Sequence, residues 1–267
     1  MDDIIVENQI ATGLLAVVYK VVRKGDETQT PLILKEVECQ DLKYAEKAQS
    51  EYRLFHSLKH RFICTLKDSF IKWDRKLSTA FVCYVMEYFE KGDLMTLLNS
   101  YRARKEVIPC ELLEKWIAYM IESVNYLQKN NVIHANIKPS SFYLKPVNNS
   151  EEYELLIGDY GVPTIMRDAR TKTRLVANAF DYAGPEIIDG QPYDFKSDIW
   201  SIGATLLDIC TTGLYDYEQF HSYLLNIRFD NELLSNILTD ILKVYESKTL
   251  INLIESMLCR IEDRPNI

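Results

Sequence analysis

The sequence predicts an α+β chain: strands with one helix through the first 90 residues, then mainly helix. Two observations carry that reading. β-prone runs at Ile4 to Ile10, Val17 to Val22, Pro31 to Cys39 and Phe81 to Met86 are bounded by turn-forming or helical stretches. From Leu112 to Leu127, by contrast, Leu113, Trp116, Ile117, Met120, Val124 and Leu127 fall on one face of a helix. At 267 residues the chain is long enough for two packed lobes or one large domain.

Composition narrows the class. Hydrophobic content of 47% and charged content of 26% are those of an ordinary globular protein. A net charge of −8 leaves no basic footprint for nucleic acid or an anionic membrane. No apolar run approaches the roughly 18 residues of a membrane span. Met1-Asp2-Asp3-Ile4-Ile5 is acidic and lacks the basic start and apolar core of a signal peptide. The six cysteines are scattered without C-x-x-C or zinc spacing, so they read as reduced, mostly buried thiols of an intracellular protein.

In chain order, the first two strands flank Ala11-Thr12-Gly13-Leu14-Leu15-Ala16, which by itself is a hairpin tip. Gly25-Asp26 marks a turn, and the third strand carries Lys35. Ala48, Tyr52, Phe55 and Leu58 then repeat at helical spacing, with Glu51 on or near their inward face. After the long amphipathic helix, Asn130 and Asn131 break it before the stretch from Val132 to Tyr143. Further on, Ser197-Asp198-Ile199-Trp200-Ser201-Ile202-Gly203 opens an apolar helix.

The Val132 to Tyr143 stretch resembles the catalytic loop of eukaryotic protein kinases, His-Arg-Asp-x-Lys-x-x-Asn. His134 and Lys138 match, while Ala135, Asn136 and Ser141 stand at the arginine, catalytic-base aspartate and metal-binding asparagine positions. Other motifs follow in the family's order. Leu32-Ile33-Leu34-Lys35 resembles V-A-I-K, Glu51 the helix glutamate that pairs with that lysine, and Glu87 to Leu94 a hinge behind the gatekeeper position Met86. Gly158-Asp159-Tyr160-Gly161 is similar to the Asp-Phe-Gly motif, Gly184-Pro185-Glu186 to A-P-E, and Arg264 to the arginine that holds that glutamate. Lys35-Glu36-Val37, Val85-Met86-Glu87-Tyr88, Gly92-Asp93-Leu94 and Asp263-Arg264-Pro265 resemble the NIMA-related kinases in particular.

The resemblance implies the bilobal protein-kinase-like form of the α+β class, with an N-lobe over 1–88, a C-lobe over 89–267 and one further helix beyond Ile267. It implies a nucleotide site of Ile10, Gly13, Val18, Ile33, Lys35, Glu51, Met86, Glu87, Phe89, Tyr143 and Asp159, taking ATP, with Mg²⁺ on Asp159; the alternative for Lys35, Glu51 and Asp159 is a salt-bridged network that fixes the helix without a ligand. Only Gly13 survives of the glycine-rich loop, and Ile33 and Tyr143 narrow the adenine slot. Phe55, Leu66, His134 and Tyr160 occupy the spine positions, with Asp198 at the base.

The departures gather on the acceptor and metal side. An asparagine amide cannot take the substrate proton, and a general base contributes roughly 10²–10⁴-fold. Ser141 is too short to be a good second metal ligand, and Ala179 stands where the substrate-pocket threonine belongs. Retained frame with lost chemistry implies a pseudokinase acting through protein partners, intracellular and cytoplasmic or cytoskeleton-associated by family likeness. A weak Ser/Thr kinase and a nucleotide-gated switch are the alternatives. Thr164, Thr171 and Thr173 lie among basic residues, but Ala135 removes the arginine that would anchor their phosphates.

Overall fold

The computed structural model describes residues 3–13, 16–39, 41–74, 78–147, 152–159, 181–192 and 194–266, apart from the side chains of 51–54. The chain divides into two compact units, the first reaching Glu90 and the second starting at Lys91.

In the first unit β1 (Ile4–Thr12), β2 (Ala16–Arg23), β3 (Leu32–Cys39), β4 (Leu66–Asp74) and β5 (Thr79–Glu87) form one antiparallel sheet. Its order is β1-β2-β3-β5-β4. Register sorts the side chains, because residues paired across strands share a face. Lys35 pairs with Val18 and Tyr84, and Ile33 with Lys20 and Met86, so all six lie on one face. The helix α1 (Leu42–Ser57) packs on β4 and β5, and the Tyr84 hydroxyl donates to the Ala48 carbonyl at 3.4 Å. Asp41 starts this helix by accepting the Tyr44 N–H at 2.9 Å, the ordinary role of an aspartate N-cap. On the opposite face Val21, Leu34, Cys83 and Val85 are buried against Ile4, Tyr19, Leu32, Phe70 and Phe81. Burial there pushes the Cys83 thiol up to about 12.

The second unit is built on a buried helix. It comprises α2 (Leu94–Arg104), α3 (Cys110–Lys129), the hairpin β6 (Phe142–Pro146) and β7 (Tyr153–Ile157), then α4 (Pro185–Ile188), α5 (Phe195–Thr211), α6 (Tyr217–Asn226), α7 (Asn231–Tyr245) and α8 (Lys248–Met257). Every residue of 197–211 in α5 is buried, including Asp198 and Asp208, whose carboxylates find hydrogen-bond partners there. Gly203 is needed where α5 meets α8: a Cβ there would stand 2.8 Å from the Met257 Cβ. Helix α3 buries Leu113, Trp116, Met120, Val124 and Leu127, the face its sequence predicts, while Ile117 is half-buried. The α+β architecture with a β-rich and a mainly helical lobe is thus the observed one. Among the described residues no helix is long and apolar enough to cross a membrane. All six cysteines are free thiols.

Candidate functional site

The loop that follows α3 is shaped by its backbone. Asn130 caps the helix, and Asn131, at φ +57°, takes the left-handed conformation that asparagine tolerates. The chain then threads to Asp198 near the start of α5. This carboxylate is fully buried and accepts the His134 N–H at Oδ2 and the Ala135 N–H at Oδ1, both at 2.8 Å. Burial pushes its carboxyl up to about 7, against the two N–H donors that favour its charged form. Ala135 pays for the arrangement with φ +57°.

His134 is 1% exposed and ties this loop to the segment behind β7. Its Nε2 lies 2.7 Å from the Gly158 carbonyl, which can only accept, so Nε2 carries the proton. Nδ1 then accepts the Asn136 N–H at 3.3 Å. Asn136 and Asp159 come together: Asn136 Nδ2 is 3.5 Å from Asp159 Oδ2, the outer limit of a hydrogen bond. Asp159 is itself at φ +69°. Ser141, 0% exposed, turns its hydroxyl inward and donates to the Asn136 carbonyl at 2.8 Å. Its own carbonyl accepts the Gly158 N–H at 2.9 Å, closing the loop on the Asp159 segment. Lys138 opens a 3-10 turn, its carbonyl accepting the Ser141 N–H at 2.9 Å. Tyr143, in β6, forms a bridge with Asp93. The result is one carboxylate, one amide and one committed hydroxyl around the loop.

In the first unit the sheet gathers Val18, Ile33, Lys35 and Met86 on one face. Ile10 is 46% exposed at an irregularity in the β1–β2 register. At Gly13 an added Cβ would meet, among the described residues, only the Ala16 carbonyl, at an ordinary contact distance of 3.5 Å. Glu87 ends β5, half-buried, and Phe89 is buried behind it. The Glu51 side chain, Ala179, Tyr160 and the three threonines lie outside the described residues.

Two charged clusters have no counterpart in the sequence reading. Glu36, next to Lys35 but on the opposite face, is 6% exposed and takes Lys72 Nζ on both oxygens at 2.8 Å. In the second unit Asp208 is buried between the Tyr182 hydroxyl, which donates at 2.6 Å, and the Arg102 guanidinium. Nearby, Asp181 accepts from His221 Nε2 at 2.8 Å, and Arg228 donates to the Asp181 and Ala183 carbonyls. Strand alternation alone would have placed Glu36 beside Leu34. The other pairs join residues too distant in sequence for any local signal.

The pair that sequence order does anticipate is Glu186 with Arg264. Nη1 donates to Oε1 at 2.7 Å and Nη2 to Oε2 at 2.9 Å, while the Ser197 hydroxyl adds a third bond at 2.6 Å. A family model for the protein kinase domain matches residues 4–267. The chain belongs to the protein kinase domain family. Among curated relatives, the serine/threonine-protein kinase Nek7 of Arabidopsis thaliana is 29% identical over 206 residues, 72% of this chain and 34% of its own length. Nek11 of Homo sapiens is 27% identical over 212 residues, 77% of this chain and 30% of its own. Nekl-2 of Caenorhabditis elegans is 27% identical over 207 residues, 75% of this chain and 55% of its own. The chain therefore spans about a third of the first two relatives. The likeness to Nek kinases seen in the motifs extends over most of this kinase domain.

Proposed function

We propose that this kinase domain is catalytically silent and works through protein contacts, as a pseudokinase of the Nek type. The observation that carries the reading is Asn136 beside Asp159. In phosphoryl transfer an aspartate of this loop accepts the substrate hydroxyl proton, and most of the remaining catalysis is positioning and charge stabilisation. The Asn136 amide has no basicity to offer, and its NH₂ faces a carboxylate rather than an acceptor hydroxyl. Ser141 is fully buried, shorter than the asparagine of the family, and turns its hydroxyl to the Asn136 carbonyl, a poor placement for a second metal ligand.

Membership of the kinase family supports retained binding of a nucleotide with one metal ion. Mg²⁺ is commonly held by one or two carboxylates together with substrate phosphates. Asp159 supplies one such carboxylate, and Lys35 supplies a cation on a sheet face whose neighbours Val18, Ile33 and Met86 are apolar. Bound Mg²⁺–ATP would supply a transferable phosphoryl group; the chain would bind and orient it without a base to deprotonate an acceptor. The free thiols fit a reducing, intracellular setting.

A radiolabelled phosphotransfer assay tests silence. Transfer to generic protein substrates should not rise above that of Lys35→Met; activity lost in that variant establishes a weak Ser/Thr kinase instead. Thermal shift with ATP, with and without Mg²⁺, reports nucleotide binding separately.

A further inference from the structure

A groove of about 900 Å³ opens on the second unit between α4, the Trp200 end of α5, the turn at 227–230, α7 and residues 258–264. Ile227, Leu234, Leu238 and Leu258, each buried, contribute an apolar lining. At its lip Phe229 is 76% exposed, far above any other large hydrophobic residue among those described. Exposed phenylalanine beside an apolar groove is costly to keep in water and marks a contact surface. Trp200 stands in the wall, 3% exposed, and its indole N–H has no acceptor among the described residues.

Charge selects the occupant. Of the three arginines lining the groove, Arg264 is paired with Glu186, while Arg228 donates to the carbonyls of Asp181 and Ala183 and keeps its charge. Arg228 and Arg260 then stand against the four exposed carboxylates of Asp189, Glu255, Glu262 and Asp263, which outnumber them two to one. The rim is acidic around an apolar centre. We infer that this groove docks a basic segment of a partner protein, one aromatic or aliphatic side chain packing against Phe229 and the leucines while flanking lysines or arginines meet the rim. Such docking presupposes that the domain works through protein contacts, as proposed above, yet it does not depend on catalytic silence.

The probe is a fluorescein-labelled peptide, Lys-Arg-Leu-Trp-Leu-Lys-Arg, compared by anisotropy with its charge-reversed form, Glu-Asp-Leu-Trp-Leu-Glu-Asp. The basic peptide should bind and the acidic one should not, with affinity falling as salt rises. Phe229→Ser should weaken binding about tenfold or more. The double variant Glu255→Lys, Glu262→Lys should lose the basic peptide and gain the acidic one. All three positions are exposed, so unchanged melting temperatures will show the variants folded. In ¹⁵N spectra the Trp200 indole signal should shift on binding while those of Trp73 and Trp116 stay. No binding of the basic peptide, equal binding of both, or indifference to the variants overturns the inference. A concentration-dependent dimer dissolved by Phe229→Ser also overturns it, assigning the groove to a second copy. Phosphotransfer measured on the same preparations reads the catalytic proposal independently, since activity with peptide binding intact sinks that proposal alone.

Discussion

Arg264 and Glu186, 78 residues apart, meet end-on, with Nη1 and Nη2 of the guanidinium each donating to one carboxylate oxygen. Arg264 is 3% exposed and Glu186 9%, so the pair sits almost wholly out of water. Such a pair adds little over apolar packing, but breaking it strands a buried charge at a cost of about 3–5 kcal/mol. Arg264→Met should therefore lower the unfolding free energy by that amount in urea titrations. Arg264→Lys should recover only part of it, since an ammonium cannot match the planar fork. A loss under about 1 kcal/mol for the methionine variant would mean that the carboxylate escapes to solvent.

Two buried carboxyls predict opposite pH limbs. Burial raises the Glu186 carboxyl, but hydrogen bonds from Arg264 and Ser197 outweigh it and hold the group below its ordinary 4.5. Its contribution is complete above 4.5 and drains away as pH falls through the lower native value. Asp198 behaves in reverse, because burial carries it from 3.8 to about 7. Between those values the native state holds a proton that the unfolded chain has released, so stability falls as pH rises. Subtracting the Asp198→Asn curve from the wild-type curve should isolate this neutral limb. A difference that stays flat across the window would show that Asp198 is charged throughout.

Legibility followed the range of each signal. Helix α3 was readable because its apolar face repeats locally, and Asn130-Asn131 announced its end. Strand β4 was not: Lys67, Asp68, Ser69, Lys72 and Asp74 give it a polar surface without the β-prone run of β5. Asp198 was placed under the spine by motif order, but the two N–H groups it holds emerge only from the fold. Glu36–Lys72 and Tyr182–Asp208–Arg102 were invisible, because a buried charge reads in sequence as a surface charge until its partner arrives.

Repair of the loop should be harder than one substitution. Asn136→Asp would set a second carboxylate about where an amide now lies 3.5 Å from Asp159, and like charges so close disfavour joint ionisation. The variant should melt below wild type without Mg²⁺ and regain stability when Mg²⁺ is added. It should still show no transfer above Lys35→Met, because Ser141 keeps its hydroxyl on the Asn136 carbonyl and Ala179 is unchanged. The triple change Asn136→Asp, Ser141→Asn, Ala179→Thr is the smallest set expected to give measurable phosphotransfer. Activity in the single variant would show that the base alone was missing.

Ala135 carries a conformational cost that can be measured directly. Its φ of +57° is the left-handed region, where a Cβ costs an L-residue roughly 1–2 kcal/mol. Glycine escapes that cost but gives up about 0.5–1 kcal/mol through its freer unfolded state. The first term exceeds the second, so Ala135→Gly should stabilise the domain by about 0.5–1 kcal/mol. Its N–H bond to Asp198 survives, being made by backbone. Ala135→Val should do the opposite, since a β-branched side chain is a stronger outlier at positive φ. Paired urea titrations of the two variants test the sign. If glycine destabilises, the loop gains more from the alanine methyl than its backbone loses, and the left-handed turn is held by side-chain packing rather than by Asp198.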